Sequence, residues 1–432
     1  MGARRERDAL GEIDVPEGAL WGAQTERAIP AFAVSGLTTR DRPDLLVGLA
    51  LVKRAAARAN RAIGALDEGR AARIDEAAAA IAAGEHHDQF PLDLVQGGGG
   101  TATNMNMNEV VANLANRAAG RPLGAYDPVH PNDHVNRSQS TNDAYPTALQ
   151  VAVLRAGHRA LAGIDRLRAS FDAAAERDAG LLRLGRTCLQ DAVPLSVGET
   201  HRAHSAALAR TAGSLRRALG ELCAVPLGAT AIGTGIGAKE GYRARAVQAL
   251  GELSGFPIAS SPDPFDALQN LDGYVAVAAA AVQIALVTGK IAADLRLLSS
   301  GPEGGLGEVV LPKALVGSSI MPGKVNPVIP ELAVQVAFDV RAAAHAVEMA
   351  AGAGDLELNV FEPVIARHLL GALDELGKLG PIFAERCIDG LAWSRERVAA
   401  NLRGSLSGLV TMSEREGYDA ASAEAKRRHG EG

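Results

Sequence analysis

"GYVAVAAAAVQIALVTG", residues 273–289, carries no charge over 17 positions and is either a membrane span or a buried helix. A membrane span needs about 20 apolar residues, so a stretch of this length invites that reading. Here, however, the run is rich in alanine, contains Gln283, and is flanked at once by Asp272 and Lys290. Alanine is the strongest helix former and lets helices approach closely, so a buried helix in a bundle fits better. The pattern continues over roughly residues 264–299, long enough for the central element of such a bundle.

The rest of the chain also leans all-α. It has 432 residues, 47% apolar and 22% charged, with aromatics at only 3% and frequent alanine runs. That length exceeds one simple core and implies two or three domains, or one large helical assembly. A net charge of −6 and a pI near 6.0 give no electrostatic reason to expect nucleic acid or a membrane as partner. Cys188, Cys223 and Cys387 are scattered and odd in number. They suit a reducing cytosol and offer neither a disulfide framework nor a C-x-x-C metal site. The start, "MGARRERDALGEIDVP", has no apolar core after its arginines, so no secretory signal is expected.

Residues 1–43 hold Pro16, Gly18, Pro30, Gly36 and Pro43 among short apolar pieces and read as an irregular arm. Helical spacing runs from about 44 to 83, and in two long patterns between 145 and about 222 broken by "GRTCLQDAVP". It resumes from about 331 to the high 370s with a break at 357–365, and a short charged tail follows Arg395.

Three polar loops interrupt the helices. "GSSIMPGKVNPVIPE", 317–331, contains glycines and prolines that a helix interior rejects. It is not a Walker A loop, because five residues separate Gly317 from Gly323 and Val325 follows the lysine. It offers Ser318, Ser319, Lys324 as a charge and Asn326 as a directional donor, a set able to close over an anion. A solvated loop with an incidental lysine is the plain alternative. "GGGGTATN", 97–104, places backbone N–H groups and Thr101 at an expected helix start, either an anion site or a capping turn. "SQSTND", 138–143, adds Ser140, Thr141 and Asn142. Together these are donors for a small dianion, with little acid–base equipment. His130 and His134 in "HPNDH" read as hydrogen-bonded structural groups rather than metal ligands. His86, His87, His201 and His204 read as surface or helix-face residues, and no metal site is expected.

The "GSSIMPGKVNPVIPE" loop resembles the signature loop of the aspartase/fumarase superfamily. The similarity extends, in the family's order, through "LGEIDVPEGALWGAQTERA", "QGGGGTATNMNMNEVVAN", "HPNDHVNRSQSTNDAYPT", "GRTCLQDAVPLSVGE", "LGATAIGTG" and "LELNVFEPVI". It covers essentially the whole chain. The resemblance implies an all-α, three-domain subunit divided at 1–140, 141–393 and 394–432, the last short and apparently truncated. It implies a cytoplasmic homotetramer built on a central bundle of long helices, with active sites shared by three subunits. It also implies β-elimination from a small dicarboxylate of the succinate type to give fumarate, without a cofactor. By position, Ser318 would be the general base, and Thr101, Ser140, Thr141 and Ser319 would hold the carboxylate beside the departing proton. Lys324 and Asn326 would hold the other carboxylate, and Asn142, Thr187 and Cys188 would line the leaving-group side. His130, Asn132 and Asp133 would match a second, weaker dicarboxylate site.

Such residues suffice for the chemistry. Removing a proton beside a carboxylate builds an aci-carboxylate with nearly two negative charges. Neutral donors converging on it stabilise that charge, each worth about 3–4 kcal/mol. A serine becomes a usable base only in a closed loop with N–H groups and a lysine nearby.

The leaving group is less fixed. "STNDAYPT", "NPVIPE" and "FEPVI" resemble aspartate ammonia-lyases, where fumarases more often read "SSND", "NPTQCE" and "FKP". Cys188 stands where fumarases have histidine. A thiol with a pKa of about 8.5 is a weaker proton donor to departing hydroxide, whereas an ammonium group brings its own proton. The reading is therefore L-aspartate to fumarate and ammonia. Its alternatives are an N-substituted or otherwise modified aspartate, a class II-type fumarate hydratase, and a silent oligomeric scaffold. A hydrolase with Cys188 as nucleophile is disfavoured, since no histidine stands near it in sequence. Glu303, where the family usually has arginine, is a second departure.

Overall fold

The computed structural model describes residues 2–315, 317, 320–321 and 323–429. The fold is all-α, with small two-stranded sheets at its margins. The chain opens with a hairpin, β1 (Ala3–Asp8) and β2 (Gly11–Pro16), followed by α1 (Ala23–Phe32), α2 (Pro43–Ala62), α3 (Glu68–Ala82) and α4 (Thr101–Ala118). Helix α5 (Thr141–Arg177) leads to a second hairpin, β3 (Leu182–Thr187) and β4 (Gln190–Ser196), then α6 (Val197–Glu221) and α7 (Tyr242–Ser254). The short α8 (Asp266–Gln269) precedes α9 (Asp272–Leu298), α10 (Val328–Ala351) and α11 (Glu362–Phe383). Three short helices close the chain: α12 (Arg395–Gly404), α13 (Gly408–Glu416) and α14 (Tyr418–His429).

The apolar run that opened the sequence reading lies in α9. Its buried positions include Tyr274, Val277, Ala281, Ile284, Thr288, Ile291 and Leu295, spaced three and four apart. That spacing makes one apolar stripe of coiled-coil type, as a bundle helix requires. Half of the helix's most apolar stretch is buried within the chain.

Several sequence expectations change. The arm at 1–43 is not irregular. β1 is nearly all charged, β2 turns Ile13 and the buried Val15 to one face, and Arg5 pairs across the hairpin with Glu12 and Asp14. Arg4 holds the chain that follows by donating to the carbonyls of Pro16, Ala19 and Trp21. The "GRTCLQDAVP" break is a hairpin, and the charged tail folds into α12–α14.

The chain divides into two compact units. The first comprises Met1–Arg159, Leu215–Ala281 and Val340–Asp374. Helix α2 is its spine, buried from Asp44 to Asn60 at nearly every position and packed on α3 and α7. A Cβ at Gly48 would stand 2.2 Å from the carbonyl oxygen of Ala148, so α2 and α5 touch backbone to backbone there. Helix α4 is also buried, although it is rich in asparagine. Its amides act as staples: Asn113 donates to Leu20 O at 2.8 Å and accepts from Gly124 N at 2.8 Å. Asn116 binds both backbone groups of Val129. Glu109 accepts from the amides of Gly22, Gln24 and Thr25 and from the Thr25 hydroxyl, an anion placed at the N-terminus of α1.

The second unit comprises Ala160–Ser214, Val282–Asp339 and Glu375–Gly432. Here α5 and α11 meet at glycines, since a Cβ at Gly163 would stand 2.4 Å from Gly377 O and one at Gly380 would stand 2.1 Å from Gly163 O. Phe171, Leu208, Leu295, Phe383 and Trp393 fill its core. His201, expected on a surface or helix face, is fully buried and accepts a hydrogen bond from Trp393 Nε1 at 3.3 Å. Burial pulls its imidazole down to about 4 and that of His204 down to about 3.

Candidate active site

The glycine loop and the "STND" loop of the first unit meet where α4 and α5 begin. Gly98, Gly99 and Gly100 all have positive φ, and a Cβ at Gly100 would stand 2.4 Å from the Tyr145 ring. Only glycine permits that wrap. It delivers Thr101 to the first position of α4, exposed, with its hydroxyl donating to Gly98 O at 2.7 Å.

Ser140, Thr141, Asn142 and Asp143 form a capping box on α5. Ser140 Oγ accepts from Asn142 N at 3.2 Å, and Asp143 Oδ1 accepts from Ser140 N at 2.9 Å. The other Asp143 oxygen receives the amides of Gly228 and Thr230, and Asn142 Nδ2 donates to Ala231 O at 2.7 Å. The "LGATA" loop is therefore hooked to the first turn of α5. Burial raises Asp143 to about 6, against three amides that favour its charged form.

Beneath this turn lies Lys53, fully buried on α2. Its ammonium donates to Asn104 Oδ1 at 2.7 Å, Gln139 Oε1 at 2.9 Å and Asn136 Oδ1 at 3.1 Å. Burial pulls it down to about 7, while Asp143 acts in the opposite direction. Asn104, one turn along α4 from Thr101, donates to Thr141 Oγ1 at 3.1 Å. Thr101, Ser140, Thr141 and Asn142 are thus gathered around two helix starts, with a buried cation behind them.

In the second unit, Thr187 and Cys188 lie exposed at the tip of the β3–β4 hairpin. Thr187 pairs with Gln190, and both turn residues have positive φ, 53° for Cys188 and 62° for Leu189. This is a type I′ turn, built without the Asn-Gly pair it prefers. Its base is anchored by Arg186, whose guanidinium grips the buried Glu308 carboxylate at 2.7 and 3.1 Å. Asn401 donates to the same carboxylate. Lys324 and Asn326 are exposed. Their loop is pinched at its base, where a Cβ on Gly317 would stand 1.7 Å from Lys324 O. Ser318 and Ser319 lie outside the described residues.

Asn132 and Asp133 lie in a short turn, Pro131–Val135, that His130 caps. His130 Nδ1 accepts from the amides of Asn132 and Asp133, and His134 Nδ1 accepts from His130 N at 2.8 Å. Among the described residues no group of three His, Cys, Asp or Glu side chains is placed to hold a metal ion. A cavity of about 550 Å³ beside Arg183, His204, Lys290 and Asp294 is lined by none of the residues expected to bind substrate.

Residues 11–342 match the family model described as Lyase. The chain is 44% identical to the aspartate ammonia-lyase of Pseudomonas aeruginosa, over 98% of this chain and 90% of that protein. This chain belongs to the aspartase/fumarase superfamily of lyases. It is also 41% identical to the class II fumarate hydratase of Prochlorococcus marinus, over 99% of this chain and 92% of that protein. A crystal structure described as a fumarate lyase:delta crystallin from Brucella melitensis superposes with a TM-score of 0.97 at 42% identity. That match covers 100% of this chain and 94% of the other. The protein is a lyase, and its relatives include both deaminating and hydrating enzymes.

Lys53, Asn104, Asn136, Gln139 and Asp143 were missed by the sequence reading. One signal was present: Lys53 interrupts the apolar stripe of α2, four residues after Leu49 and three before Ala56. A lysine there must either find buried partners or break the helix packing.

Proposed function

We propose that this lyase eliminates ammonia from L-aspartate to give fumarate. The observation that supports this most is the group of neutral donors at the starts of α4 and α5. Thr141 accepts a hydrogen bond from Asn104, which leaves its own proton for an incoming anion. Ser140 likewise accepts from a backbone amide. A carboxylate held there gains stabilisation as its charge grows during proton loss.

In this reading Ser318 removes the proton from the carbon beside that carboxylate. Ser319 adds a donor, Thr101 joins it once its hydroxyl turns away from Gly98 O, and Lys324 and Asn326 hold the second carboxylate. Asn142, Thr187 and Cys188 face the amine. The residues fall in two separate units, in keeping with sites shared among subunits of a cytoplasmic homotetramer. Exposed apolar side chains such as Leu286, Phe338 and Met349 on the long helices also fit assembly. His130, Asn132 and Asp133 would form a second dicarboxylate site.

Cys188 favours ammonia over water, because it offers no imidazole to protonate a departing hydroxide. The same residue, small and exposed at a hairpin tip, motivates a second reading in which the amine carries a substituent. Following fumarate by ultraviolet absorbance with L-aspartate, L-malate and N-substituted aspartates separates the readings. Turnover of L-aspartate supports the first, turnover of only substituted aspartates the second, and turnover of malate alone rejects both.

A further inference from the structure

We propose that Lys53 is a positioning residue that fixes the direction of the Thr141 hydroxyl through the amide of Asn104. The inference rests on the reading above, in which Thr141 faces the substrate carboxylate. An ammonium group has donors and no acceptor. With Lys53 protonated, the form its three oxygen partners and Asp143 favour, the end of Asn104 that lies 2.7 Å from Nζ must be its oxygen. Its other end, Nδ2, must then donate, and its two hydrogens go to Thr141 Oγ1 at 3.1 Å and Asn136 Oδ1 at 3.2 Å. A hydroxyl that accepts on its inner side has its single proton free to donate outward.

Reversing the amide would reverse the hydroxyl. Asn104 Oδ1 would then take the proton of Thr141, and the hydroxyl would present lone pairs to an anion. Nothing in the geometry leaves the amide that freedom. All three ammonium hydrogens are used, on Asn104, Asn136 and Gln139. Asn136 Oδ1 also receives Asn108 Nδ2 at 3.2 Å, and Asn136 Nδ2 donates to Gln139 O. Gln139 Nε2 is occupied by the carbonyls of Val135 and Arg137. One cation, fully buried, thus orients three amides and one hydroxyl. Thr101 shows the contrast, since its proton is already engaged by Gly98 O.

The test is a double-mutant cycle. Asn104→Asp keeps the shape and the contact with Lys53, yet turns an acceptor toward Thr141. In the wild-type background it should lower kcat by about 100-fold, the scale for losing one oxyanion donor, with KM changing far less. In a Thr141→Val background the same change should cost less than about fivefold, because the hydroxyl it misdirects is gone. Lys53→Met should show the same dependence on Thr141, and Lys53→Arg should recover part of the loss. A purely structural role predicts equal losses in both backgrounds, and that result overturns the proposal. Succinate binding by calorimetry runs in parallel: Asn104→Asp should weaken it, provided thermal melts show the variant folded. Wild-type turnover with Asn104→Asp unaffected sinks this inference alone. A wild-type chain that neither turns over aspartate or malate nor binds succinate sinks the functional reading, and this inference with it.

Discussion

Asp143 Oδ2 receives the backbone amide of Thr230 at 3.0 Å, and through this pair the glycine-rich loop after Pro226 is held against the start of α5. The same oxygen takes Gly228 N, and the other caps Ser140 N. Asp143→Asn would turn an NH₂ toward at least one of these amides. Leaving a buried donor unsatisfied costs about 1–3 kcal/mol, so the urea midpoint should fall by a corresponding amount. Lys53 also loses its buried counter-charge. Activity should fall further than stability alone explains, because Asn142 leans on the same loop through Ala231.

Cys188→Ser should keep most of the elimination activity, since the thiol lines the leaving-group side and removes no proton. Initial rates of fumarate formation check this. A Cys188→Ser enzyme as inactive as Ser318→Ala would return the thiol to the chemistry.

The hairpin that carries Cys188 pays for its turn in strain. Leu189 sits at a φ of 62° with its side chain exposed, a conformation that costs an L-residue about 1–2 kcal/mol. Leu189→Gly should therefore hold or raise the urea midpoint, offset in part by the greater freedom of glycine when unfolded. Arg186→Met should do the opposite. It strands the buried Glu308 carboxylate, and breaking such a pair typically costs about 3–5 kcal/mol.

His201 gives the fold an acid limit. Its folded pKa of about 4 lies below the ordinary value, so between these values the unfolded chain binds more protons. Stability present above pH ~6.5 is lost as pH falls toward ~4, by about 3 kcal/mol for this group. Denaturation at pH 7 and pH 4.5 should show the loss, and His201→Gln should reduce it to the share left by His204, which is pulled lower still. Protonating Nε2 also removes the acceptor that Trp393 uses.

The sequence made the bundle legible because the three-and-four spacing of α9 is a property of neighbouring residues. The loops were legible for a similar reason: Thr101, Ser140, Thr141 and Asn142 are small polar groups in runs that no helix interior favours. The β1–β2 hairpin was hidden because β1 is nearly all charged and β2 shows only two apolar positions, Ile13 and Val15, between its acids. The β3–β4 hairpin was hidden because Cys188 and Leu189 occupy turn positions that usually announce themselves as Asn-Gly. Lys53 and Asn104 lie inside helices, and their meeting spans 51 positions of sequence. Spacing along the chain does not encode such a contact. Only the interruption of an apolar stripe marks it.

The central claim is that Ser318 and the donors around α4 and α5 eliminate ammonia from L-aspartate. The most direct measurement compares kcat/KM for L-aspartate and L-malate in the wild type and in Ser318→Ala, reading fumarate at steady state. The account predicts turnover of aspartate well above malate, and background rates for both in Ser318→Ala. Efficient dehydration of malate without deamination of aspartate, or an active Ser318→Ala enzyme, would contradict it.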